Sequence, residues 1–342
     1  MGGKYWTPDH PVLRVLDARR SRKDRPGRRE DPHKVGLAIQ GGGMRGVISG
    51  AMLTALDDLG LHDTFDAIYG SSSGALNGAY SYAGDSWRQL PIYWDDLTTG
   101  HFIDLRRGFS GNIVDLDYAF DEVVGKLRPL DADAVLRSEI PLHVAISLVD
   151  EIRTHTVSSF SSAEDLRLAL RASAWLPVAV RGTAEFHGQR AIDGAILTTH
   201  PVRLAEDDGC THILSLSTRP LGPGRVTPSL VQLVSGWHLD RIRPGLSKAY
   251  HLAIRGYQRD RARLSVASRT ANGPPHILDI APLPDALPIR PLEQDPGRLI
   301  LAARSAYELA HCVLDHGDVD ALRAGAFRTV PRFTRVNRGE RS

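Results

Sequence analysis

The chain has 342 residues, 42% hydrophobic and 24% charged, which is enough to bury a substantial core as one large domain or one domain with an appended lobe. Its formal net charge of +2 is nearly balanced, and without aromatic interleaving or a known module it argues against nucleic-acid binding. Two cysteines, Cys210 and Cys312, exclude a disulfide or zinc framework; with neither a signal-peptide run nor a membrane-length apolar stretch, the expectation is a cytoplasmic chain whose contact with a membrane is peripheral.

Residues 1–34 carry Arg14, Arg19, Arg20, Arg22, Lys23, Arg25, Arg28 and Arg29 against Asp17 and Asp24. This pattern reads as a solvated basic arm, with attraction to anionic head groups as the functional alternative. Val35–Gln40 follows as a strand and Val47–Leu59, stopped by Gly60, as a helix. Gly41-Gly42-Gly43-Met44-Arg45-Gly46 joins them, so the glycine amides lie at a helix entrance, free to point at an anion. Arg45 either steadies that loop or attracts a phosphate group.

A second strand over Phe65–Tyr69 leads into Gly70-Ser71-Ser72-Ser73-Gly74 and a helix over Ala75–Tyr82. This is Gly-x-Ser-x-Gly with Ser72 on a sharp strand-to-helix turn, where Gly70 and Gly74 leave room for a strained, exposed hydroxyl. An ordinary Gly/Ser loop has the same composition. Gly41-x-Gly43-x-x-Gly46 also fits the dinucleotide fingerprint, which asks for an acid at the end of the second strand. Asp57 and Asp58 fall in the helix, however, and Asp63 and Asp66 precede that strand's end.

Further along, Thr98–Leu116 sets Phe102, Ile103, Phe109 and Ile113 among glycines and reads either as a mobile cover or as a plain loop. Leu142–Leu148 alternates as a strand with Thr154–Val157 as partner, and Ser162–Ala174 reads as a helix leading to Pro177. Gln189–Ile192 is strand-like and runs into Asp193-Gly194-Ala195, and Thr211–Leu216 is another strand. Strand and helix alternation to about residue 220 implies an α/β fold with a mostly parallel sheet flanked by helices. Beyond it come helices from Pro228 to about Trp237 and from Leu246 to Leu264, the latter's apolar stripe serving packing, then a strand at His276–Ile280 and a helix capped by Asp295-Pro296. The expected division is a basic arm (1–34), a catalytic core (35–220), a mainly helical region packed on it (221–327) and a basic tail (328–342) with Arg328, Arg332, Arg335, Arg338 and Arg341.

A serine hydroxyl needs a base, and Asp193, turned tightly by Gly194, is the best candidate, although Asp-Gly is also a common hairpin turn. Four blocks in order then resemble the patatin-like phospholipase family. They are Gly41 to Gly46, Gly70 to Gly74, Ala172-Ser173-Ala174-Trp175-Leu176-Pro177, and Asp193-Gly194-Ala195. The resemblance implies a lipid acyl hydrolase, of phospholipase A or lysophospholipase type, acting on a lipid or other acyl ester. It implies a Ser72–Asp193 dyad and an oxyanion loop of Gly41, Gly42 and Gly43. Met44, Arg45, Gly46, Gly70, Gly74, Pro177 and Gly194 would support the site, with no metal or organic cofactor. Trp175 and Val178-Ala179-Val180 depart from the family's usual residues and bear on the shape of the acyl pocket. A Ser-Asp-His esterase stays open as an alternative, since His200, His212, His251, His276 and His311 all follow Asp193, as does a dinucleotide-binding protein or a scaffold without catalysis.

Overall fold

The computed structural model describes residues 5–84, 86–109, 111–222, 230–323 and Phe333. Eight strands form one sheet: β1 (Val35–Ile39), β2 (Ala67–Ser71), β3 (Leu142–Leu148), β4 (Arg153–Val157), β5 (Ala184–Phe186), β6 (Gln189–Asp193), β7 (His212–Leu216) and β8 (His276–Ile280). The order is β5-β6-β3-β2-β1-β7-β8, with β4 on β3. Pairs β3–β2, β2–β1, β1–β7 and β7–β8 are parallel; β4, β5 and β6 join antiparallel. Every residue of β1, β2 and β7 is buried, as expected of parallel strands covered on both faces.

The Val47–Asp58 helix buries ten of its twelve residues and packs on the Pro296–Leu314 helix, which Asp295 caps through the amides of Gly297 and Arg298. The helix expected to end at Leu264 runs on, Leu246–Thr270, and its stripe is a packing surface: Leu246 belongs to a buried cluster with Val149, Ile192 and Leu239. The helix expected from Pro228 is Leu230–Ile242, its approach lying outside the described residues. The C-terminal region is more than an appended helical layer, because β8 pairs with β7 along its whole length and extends the sheet.

One expectation is corrected. Residues 5–34 are not a solvated arm: Pro11–Arg22 is a helix capped by His10, with Val12, Leu13 and Leu16 buried. Arg19 is fully buried, donating to Asp31 at 2.8 Å, to Asp66 at 2.9 Å and to the Thr64 and His33 carbonyls at 2.7 Å. A guanidinium so satisfied can be enclosed, and those carboxylates lie beyond the helix, where its own charge count does not reveal them. The arginines of the expected basic tail lie outside the described residues; Phe333 alone is described there, against Trp87 and Tyr307.

Candidate active site

Strand β2 ends in a corner at Ser72, which holds φ +55° and ψ −136° before the Ser73–Ser81 helix begins. A side chain at positive φ is strained, and the surroundings must hold it there. Crowding explains the flanking glycines: a Cβ on Gly70 would lie 2.5 Å from Ala75 Cα, and one on Gly74 2.3 Å from the Ile39 carbonyl. The Ser72 amide donates to Ser173 Oγ at 2.9 Å, and Ser173 Oγ donates to the Ala145 carbonyl at 2.7 Å. That buried relay ties the corner to β3 and to the Ala163–Ser173 helix.

Asp193 closes β6 opposite Ile146 of β3. Its amide donates to the Trp175 carbonyl at 2.8 Å, and Ser147 Oγ donates to its carbonyl at 2.9 Å. Gly194 passes so close to β3 that a Cβ there would stand 2.1 Å from the Ala145 carbonyl. The carboxylate accepts Ser72 Oγ on Oδ2 and the Ala195 amide on Oδ1, each at 2.8 Å. Burial pushes the Asp193 carboxyl up to about 6, against the two hydrogen bonds that favour its anion.

The glycine loop crosses in front of this pair. Gly42, at φ +144°, donates its amide to Ser73 Oγ at 3.0 Å, so that donor is already engaged. Gly43, at φ +61°, lines the cavity that holds Ser72 and Asp193; Gly41 and Gly42 do not. The loop is braced from behind: Thr218 Oγ1 donates to the Gly41 carbonyl at 2.9 Å, and Arg45 Nε donates to Thr218 Oγ1 at 3.3 Å. A Cβ on Gly42 would meet an Arg45 guanidinium nitrogen at 2.6 Å, and burial, with Arg219 nearby, lowers the Arg45 pKa to about 10. Of the two roles expected for Arg45, these contacts show the steadying one. Met44 is buried, bonded through its amide to the Pro291 carbonyl, and a Cβ on Gly46 would strike Ser73 Oγ.

The cavity measures about 110 Å³ and is walled by apolar side chains, among them Leu76, Phe102, Leu116, Phe120, Leu176 and Val180. A family model described as patatin-like phospholipase matches residues 37–206, which include all of these but none of the chain before β1. That stretch belongs to the patatin-like phospholipase family. The family is one of lipid acyl hydrolases acting on lipid esters. The chain is 24% identical over 193 residues to the uncharacterized protein YjjU of Escherichia coli, covering 55% of this chain and 53% of the relative; it thus spans about half the length of the curated relative it matches. Among solved structures it resembles VipD of Legionella pneumophila, with a TM-score of 0.44, 12% identity and coverage of 83% of this chain and 67% of that one.

Within the patatin-like domain the four sequence blocks converge on one cavity. Ser72, Asp193, Gly43 and Met44 line it; Gly41, Gly42, Arg45, Gly46, Gly70, Gly74 and Gly194 shape the backbone around it; buried Pro177 sits in the turn that presents Leu176 and Ala179. Trp175, expected to shape the pocket, lies outside its lining and instead has the Arg171 guanidinium over its ring. Ser173 and Ser73 carry positions that sequence reasoning quoted without assigning; the available signal was a serine closing a helix otherwise buried through Leu166, Ala169, Leu170 and Ala172.

No histidine among the described residues lines the cavity. His200 bonds Ser217 at 3.0 Å, and burial lowers it to about 3. Asp66 stands before β2 and is engaged by Arg19 and Arg29, so the acid a dinucleotide fingerprint needs at the strand's end is not supplied by it. Among the described residues, no group of His, Cys, Asp or Glu is placed to hold a metal, and no helix is long and apolar enough to cross a membrane.

Proposed function

We propose that this domain hydrolyses carboxylic esters of lipids through Ser72 and Asp193, meeting lipid from the membrane surface. The observation that carries the reading is the 2.8 Å contact between Ser72 Oγ and Asp193 Oδ2 in an apolar cavity that no imidazole among the described residues lines. Asp193 takes the hydroxyl proton as Oγ attacks the ester carbonyl. The carbonyl oxygen becomes an oxyanion, held by backbone donors of the glycine loop with Gly43 foremost, because Gly42 has spent its amide on Ser73. Collapse breaks the ester C–O bond and returns the proton to the departing alcohol. Water then attacks the acyl-serine, Asp193 takes its proton, and the acid leaves as Ser72 Oγ regains a hydrogen. A carboxyl raised to about 6 suits this work better than an ordinary aspartate, since a base is most effective when its pKa approaches the working pH.

A fluorophosphonate tests the reading. It should label the wild-type chain at Ser72 and leave Ser72→Ala unlabelled, while His200→Ala keeps both labelling and ester hydrolysis. Hydrolysis that survives in Ser72→Ala, or is lost in His200→Ala while the fold is intact, overturns the dyad. A wild-type chain that neither reacts nor hydrolyses favours a scaffold.

A further inference from the structure

The segment that supplies Phe102, Val114 and Leu116 to the cavity wall is fastened on both sides. Its arms, residues 99–108 and 111–116, bond each other through the Asp104 amide to the Ile113 carbonyl at 3.0 Å and the Asp115 amide to the Phe102 carbonyl at 2.9 Å. The Val114 amide reaches the opposite wall at the Ala179 carbonyl, 3.0 Å, and Gln294 Nε2 holds the Ile103 carbonyl at 2.8 Å. Arg107 closes the arms: Nη2 donates to the Phe102 carbonyl at 3.0 Å and to the His101 carbonyl at 3.2 Å, while Nη1 faces Asp115 at 3.4 Å. Phe102, Val114 and Leu116 from these arms line the cavity. The segment, open to reading as a mobile cover or a plain loop, is tied as a strap by these bonds.

Size then limits the occupant. A closed apolar cavity of about 150 Å³ takes benzene; the apolar space walled here, which opens on one side to solvent, measures about 110 Å³, so its walls hold about four or five carbons of an acyl tail. We infer that, given the ester hydrolysis proposed above, this site selects short acyl groups of about that length, with Arg107 as the residue that sets the limit by holding the strap. A longer tail would have to part Val114 from Ala179 and Phe102 from Arg107. Short acids fill the apolar walls without moving either contact.

The test is kcat/KM across p-nitrophenyl acetate, butanoate, hexanoate, decanoate and palmitate. The wild-type chain should peak at butanoate or hexanoate and fall by at least about tenfold at decanoate, the scale on which pockets discriminate methylenes. Arg107→Ala, at a partly exposed position, should raise the decanoate-to-butanoate ratio about tenfold without raising the butanoate value. Leu116→Ala, which widens the cavity and leaves the strap bonds in place, should shift the peak toward longer acids. Ser72-dependent hydrolysis that favours decanoate or palmitate overturns the length limit alone, as does a ratio unmoved in both variants. Butanoate hydrolysis that persists in Ser72→Ala overturns the dyad beneath it.

Discussion

Two buried aspartates that accept serine hydroxyls, Asp193 and Asp279, share that pairing and a raised pKa yet differ in their surroundings. Asp193 accepts Ser72 Oγ at 2.8 Å; Asp279 of β8 accepts Ser215 Oγ at 2.5 Å and Ser217 Oγ at 2.7 Å. Burial raises both carboxyls to about 6. The second cluster even has an imidazole, His200, on Ser217. Yet His200 Nδ1 accepts the Val202 amide, so its proton is on Nε2 and points at Ser217, the wrong way round for a base. The Trp6 indole closes over the Asp279 carbonyl at 2.5 Å, and Ser215 lies within a regular strand, His212–Leu216. At Ser72 the same pair of groups meets a strained corner, an apolar cavity and a glycine loop. On the proposed reading, a serine beside a buried aspartate becomes a site only where access, backbone strain and backbone donors accompany it.

Three measurements would break or sharpen this contrast. The largest effect is on rate: Ser72→Ala or Asp193→Ala should each lower kcat/KM for a short-chain ester by about three to four orders of magnitude, and Asp279→Asn should stay within about twofold. Equal losses at both aspartates would erase the distinction.

The next concerns protons. As a required base, Asp193 should give kcat/KM an acid limb near its value of about 6, and that limb should persist in Asp279→Asn. Stability runs the other way. The folded value lies above the ordinary 3.8, so the contribution present below that pH is lost as pH rises through about 6, amounting to about 3 kcal/mol. Asp193→Asn should therefore be inactive yet more resistant to urea than wild type at pH 8, with the advantage gone at pH 4. A variant no more stable at either pH would show that Asp193 is not strained by its burial.

The smallest effect tests the relay behind the elbow. Ser173→Ala leaves the Ser72 amide and the Ala145 carbonyl without their partner, a loss of about 1–3 kcal/mol. If Ser173 positions the nucleophile, kcat should also drop, by up to about a hundredfold at saturating substrate well below the unfolding temperature, with Ser173→Thr recovering most of it. A drop in melting temperature with kcat unchanged would make the relay structural only.

Much of the site was legible in the residues because its demands are local. Gly70, Gly74 and Gly194 each stand where a Cβ would strike a backbone atom, and a strand followed by glycine, serine and a helix states a corner without knowledge of the rest. The strands β1, β3 and β8 were readable from apolar runs and period-two alternation for the same reason. The N-terminal segment was misread because what buries Arg19 lies elsewhere: Asp66 is 47 positions away. The roles of Ser173 and Ser73 were missed because a hydroxyl's partner is chosen by packing, not by its neighbours in the chain.

By itself the sequence determined the order of the four blocks, the α/β class and the places where only glycine fits, all properties of short windows and backbone sterics. Only the tertiary structure decided that Ser72 and Asp193, 121 positions apart, share a hydrogen bond. It also decided that Gly42 gives its amide to Ser73 while Gly43 lines the cavity, and that a tied strap lines the apolar cavity. Distances between remote residues, and the desolvation that raises a carboxyl, exist only once the sheet has brought those residues together.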